Sequence, residues 1–73
     1  MGKSLEEVVF IVEEAPEGGY TARALGISIV TEADDLETLR RQVVDAVHCH
    51  FAAQPQQPRL VRLHLVKDEV LTV

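Results

Sequence analysis

Residues 8–25 read VVFIVEEAPEGGYTARAL, and this stretch decides the fold. Val8 to Val12 form an unbroken apolar run rich in β-branched residues, and five residues suit a strand better than a helix. Pro16 followed by Gly18 and Gly19 is a turn signal, because proline presets φ and glycine reaches positive φ at no steric cost. Tyr20 to Leu25 then resumes as a second strand. So short a loop predicts an antiparallel hairpin. Gly26 marks a further turn, and Ile27 to Thr31 read as a third strand.

Downstream the period changes from two to between three and four. Leu36, Leu39, Val43, Val47 and Phe51, with Ala46 and His50 beside them, make one apolar helical stripe. Arg40, Arg41, Asp45 and His48 fall largely off it. Asp34-Asp35-Leu36-Glu37 reads as a capping box at the helix start, with Glu37 reaching back. The proline-marked loop from Gln54 to Pro58 ends the helix near residues 51–53. Residues 60–66 alternate as a fourth strand, Lys67-Asp68-Glu69 reads as a turn, and residues 70–73 as a short strand or tail. The expectation is a single α+β domain over residues 1–73, ordered β-β-β-α-β, with one antiparallel-rich sheet and one helix packed on one face.

One helix covers one face of a sheet. By alternation, Val8, Phe10 and Val12, Tyr20, Ala22 and Ala24, Ile27 and Ile29, and Val61, Leu63 and Leu65 are expected to meet the helix. The other face would carry Val9, Ile11, Arg23, Leu25, Val30, Arg62 and His64. These mix apolar with basic groups, where a solvated face would be more polar. This second face is the candidate partner-binding surface, and the partner could be a second copy of the chain.

Composition narrows the function. At 73 residues, 47% hydrophobic and 26% charged, the chain suits one globular domain with a thin core, for which oligomerisation is a common remedy. A net charge of −5 disfavours direct binding to nucleic acid and favours a basic partner. The lone Cys49 cannot form an internal disulfide, and the longest apolar run is far too short to span a membrane. A cytoplasmic location is therefore expected.

Signals for chemistry are weak. His48-Cys49-His50 point about 100° apart along a regular helix and cannot chelate one metal together. Packing explains them instead, with His50 at the stripe's edge, Cys49 as a small hydrophobe and His48 solvated. Cys49 lies near a helix C-terminus, where the dipole disfavours a thiolate. Glu13, Glu14, Glu17, Glu32, Asp34, Asp35 and Glu37 read as a solvated acidic edge, not a calcium loop. No catalytic residue, metal site or cofactor is expected.

The run from Glu14 to Ala24 with its Gly18-Gly19-Tyr20, followed by a strand and then Thr31-Glu32-Ala33-Asp34-Asp35-Leu36-Glu37-Thr38-Leu39, resembles the HicB-like antitoxin family over roughly residues 7–53. The resemblance implies a partial RNase H-like β-β-β-α-β unit. It also implies an antitoxin that binds and blocks a small basic HicA-type toxin, which cleaves mRNA. Two differences stand out: Leu25-Gly26 replaces a longer proline-containing turn of that family, and no DNA-binding extension follows before Val73. Autoregulation on DNA is therefore not expected. The expected function is an antitoxin-like protein-binding module that forms a homodimer or higher oligomer. The alternatives are a structural or regulatory homo-oligomer without a toxin, and a small metal- or ligand-binding enzyme using His48, His50 and His64.

Overall fold

A computed structural model describes residues 7–73. The elements run β1 (Glu7–Glu14), β2 (Tyr20–Ala24), β3 (Val30–Ala33), α1 (Leu36–His50) and β4 (Leu60–Val66). They form one four-stranded mixed sheet in the order β3-β2-β1-β4. β1 pairs antiparallel with β2, and β2 antiparallel with β3. β4 returns after the helix to lie parallel to β1. The fold is α+β, as expected.

The β1–β2 turn is built from the residues that the sequence singles out. The Gly18 N–H donates to the Ala15 carbonyl, and the Ala15 N–H donates to the Gly19 carbonyl. Pro16 sits at the second turn position, where its fixed φ is favoured. Gly18 and Gly19 have φ of 110° and 86°. Gly19 is also tightly enclosed, since a Cβ there would lie 2.8 Å from the Ala33 carbonyl oxygen. The hairpin tip thus presses on the junction between β3 and α1.

The third strand lies further along than residues 27–31. It begins at Val30 and ends at Ala33. Ile27 and Ile29 belong to the loop after Gly26, yet Ile29 is buried and Ile27 packs against the core. The Ala24 N–H donates to the Ile29 carbonyl, which folds this loop back onto β2. The apolar signal here marks burial, and the strand itself is the more polar Val30-Thr31-Glu32-Ala33.

The helix cap is Asp35, whose side chain accepts from the Thr38 N–H at 2.7 Å. Thr38 occupies the third helical position, so Glu37 falls one residue short of completing the expected capping box. The Thr38 N–H, seconded by the Thr38 hydroxyl, holds the Asp35 carboxyl below the usual range. At the other end the Phe51 N–H donates to the Val47 carbonyl, and Gln57 Nε2 donates to the Phe51 carbonyl at 3.0 Å. A carbonyl left over at the helix end is thereby satisfied.

Leu39, Val43, Val47 and Phe51 from the helix side meet Val8, Phe10, Val12, Ala22, Ala24 and Ile29 in one core. Phe10 and Leu39 are fully buried, and each such side chain contributes about 1.5–3 kcal/mol. Thr31 Oγ1 donates to Gln42 Oε1 at 2.8 Å, tying β3 to the helix. The helix lies over β2 and β3 and leaves β4 less covered. Val61 and Leu63 pack against the core, but Leu65, expected beneath the helix, is 53% exposed. Residues 67–73 form no strand, and Val70, Leu71 and Val73 are exposed.

Candidate partner-binding face

Strand register builds the face that looks away from α1. His64 lies opposite Ile11, Ile11 opposite Arg23, and Arg23 opposite Val30, which makes one row across all four strands. Arg62 lies opposite Val9 in the adjacent row. The Leu25 N–H donates to the Val9 carbonyl at 2.9 Å and extends that row past the end of β2. The seven residues singled out by alternation thus lie side by side in two rows.

Their exposure differs by position. Val9 and Ile11, on the inner strand β1, are half-buried by their neighbours. Val30 is 71% exposed and Leu25 51% exposed at the β3 side. Leu60 and Val66 share the parity of Arg62 and His64 and extend the apolar surface at the β4 side, exposed by 60% and 37%. Sequence alternation marks both residues, although neither is among the seven.

The polar groups are unevenly engaged. Arg62 donates from Nε and Nη2 to the two carboxylate oxygens of Glu7. This hydrogen-bonded guanidinium holds the Glu7 carboxyl below its ordinary value. Both partners are solvent-accessible, so the pair does little for stability. Arg23 is exposed and has no carboxylate within ion-pair distance among the described residues. The row beyond Ile11 and Arg23 is Val66–Glu13–Thr21–Glu32, so one end of the face carries acid. Glu13, Glu14, Glu17, Glu32, Asp34, Asp35 and Glu37 are all exposed. They form a solvated acidic rim around the hairpin tip and the helix start.

The remaining sequence candidates lie apart. His48, Cys49 and His50 are exposed in the last helical turn and just before the cap. Cys49 is therefore not packed as a small hydrophobe. The His50 ring meets Phe51 edge-on at 4.9 Å. His64 projects from the sheet face opposite the helix and cannot join these two histidines. Among the described residues no three His, Cys, Asp or Glu side chains are grouped to hold a metal ion. No described helix is long and apolar enough to cross a membrane. A shallow groove of about 200 Å³ lies on the helix side between Tyr20, Leu36 and Leu65, smaller than ordinary small-molecule sites.

Two relatives share most of the chain. A UPF0150 protein of Archaeoglobus fulgidus is 51% identical over 59 residues, spanning 81% of this chain and 86% of that protein. A UPF0150 protein of Thermotoga maritima is 38% identical over 68 residues, spanning 93% and 94%. No family model and no solved structure matches the chain.

Proposed function

We propose that this chain, which belongs to the UPF0150 family, is a protein-binding module that engages a small basic partner through the open sheet face. The observation that carries the reading is the pair of rows formed by Val9, Ile11, Arg23, Leu25, Val30, Arg62 and His64. Exposed Leu25 and Val30 supply apolar area to bury, and Arg23 supplies a fork of donors with no carboxylate partner among the described residues. The acidic rim and the net charge of −5 favour a basic partner by speeding encounter and penalising acidic competitors. The Gly18-Gly19-Tyr20 hairpin and the acidic helix start support a HicB-like antitoxin role, with a HicA-type toxin as the bound protein. A free, exposed Cys49 suits action in a reducing cytoplasm.

Co-expression with a neighbouring small basic toxin, followed by affinity capture and growth measurement, tests this reading. Wild type is expected to co-purify with the toxin and restore growth. Val30→Glu and Arg23→Glu, both on exposed positions, are expected to fold normally and to fail in both respects. Capture and rescue unaffected by either substitution would remove the open face from the interaction.

A further inference from the structure

The sheet has two edges, and they differ. β3 spans four residues and carries Glu32. β4 spans seven residues, Leu60 to Val66, with no proline, no glycine and one formal charge, Arg62. Its outer edge pairs with no other strand among the described residues. Long, flat, apolar edges are what proteins ordinarily blunt with charge, bulges or cover. Here the apolar side chains on both faces of that edge remain open: Leu60 and Val66 on the open face, Leu65 on the helix side.

The strand is also symmetric in residue type about its middle. Read forwards it is Leu-Val-Arg-Leu-His-Leu-Val; read backwards it again gives two apolar residues, a basic ring or fork, Leu63, another, and two apolar residues. We propose that β4 pairs antiparallel with β4 of a second copy, about a two-fold axis passing beside Leu63. This goes beyond the proposed function and does not rest on it.

Symmetry fixes the register. A two-fold normal to the sheet reverses strand direction and keeps each face on its own side, so paired residue numbers must sum to an even value. Full overlap of the seven residues sets Leu63 against the partner's Leu63. Arg62 then faces the partner's His64, Val61 faces the partner's Leu65, and Leu60 faces the partner's Val66. Apolar residues meet apolar residues at every position except the Arg–His pairs. A slip of two residues loses two of the seven pairs. In one direction it also places Arg62 against the partner's Arg62, and directly opposed like charges are destabilising. The helix packs mainly over β2 and β3, toward the opposite edge of the sheet, and its Leu36 reaches β4 only on the inner side, where it shares a groove with Leu65. The product is a continuous eight-stranded sheet with both helices on one side. The two open faces merge across the Arg62–His64 pairs.

Sedimentation equilibrium of the full chain tests this with substitutions at His64, an exposed open-face position. Each change alters two symmetry-related pairs. His64→Arg is expected to raise the dimer dissociation constant roughly tenfold, and His64→Glu, opposite the partner's Arg62, to lower it by a similar factor. In a Cys49→Ser background, Leu63→Cys is expected to yield a cross-linked dimer on oxidation, whereas Val30→Cys on the other edge is not. A wild-type chain that stays monomeric at about 1 mM overturns the proposal. So does an identical dissociation constant for all three His64 forms, or cross-linking through residue 30 instead of residue 63.

Discussion

Gly19→Ala isolates how the hairpin tip is locked onto the rest of the fold. Gly19 sits at φ 86°, and an added Cβ would lie 2.8 Å from the Ala33 carbonyl oxygen and 3.5 Å from the Asp34 Cα. Positive φ alone costs an alanine about 1–2 kcal/mol. The contact is with backbone, so it cannot be relieved by rotating a side chain. Either the hairpin tip or the β3–α1 junction must move by several tenths of an ångström. Strain of that kind adds about 1–3 kcal/mol, for a total loss of about 2–5 kcal/mol. A chain of this size holds about 4–11 kcal/mol in all, so the loss is a large share of its stability. Gly18→Ala is the matched control: its φ is 110°, but nothing lies within 4 Å of the added Cβ. It is expected to lose the conformational part alone. Urea denaturation followed by circular dichroism reads both. Equal midpoints for the two variants would refute the claim that close approach to Ala33 makes Gly19 necessary.

Leu39→Ala, at a fully buried position, is expected to cost about 2–5 kcal/mol, whereas Leu25→Ala on the open face should stay within about 0.5 kcal/mol of wild type; chemical denaturation compares them. Acidification provides a separate handle. The carboxyls of Glu7 and Asp35 are both held below their ordinary values of 4.5 and 3.8. Their contribution is complete above those values and is lost as pH falls through the lower folded-state values. Thermal melts of Asp35→Asn are therefore expected to show a shallower loss of stability on the acid side than wild type, whereas Glu7→Gln, which removes a solvent-accessible pair, is expected to follow wild type closely. Arg62→Lys should remove the planar, two-point hold on Glu7 and return its titration toward the ordinary range, as read by carboxyl NMR shifts.

Much of this architecture is legible in the sequence because two periodicities carry it. Strand alternation separates Val8, Phe10 and Val12 from Val9 and Ile11, and the three-to-four spacing from Leu36 to Phe51 gives the helix stripe. The same alternation assigns the seven open-face residues, although it equally marks Leu60 and Val66. Other features depend on information that is not local. Ile27 and Ile29 look like strand residues because they are apolar and β-branched, but what they report is burial in a loop folded back by the Ala24–Ile29 hydrogen bond. Two adjacent aspartates precede the helix, and only backbone geometry selects Asp35 as the cap. Leu65 has the parity of a core residue. Its exposure follows from β4 lying at the sheet edge, beyond the helix, and strand order has no local signature. Cys49 and His50 are exposed because they lie off the helix stripe that packs on the sheet, whereas Val47 and Phe51 at the same helix end are buried.

The most direct test of the open face as a binding surface is calorimetric titration of a purified HicA-type toxin. It would be run against wild type and the Leu25→Glu/Val30→Glu double variant, both confirmed folded by circular dichroism. Wild type is expected to bind, and the double variant to bind at least roughly a hundredfold more weakly, since two exposed apolar side chains would be exchanged for charges at the contact. Equal affinity for the two proteins, or no binding by wild type, would contradict the account.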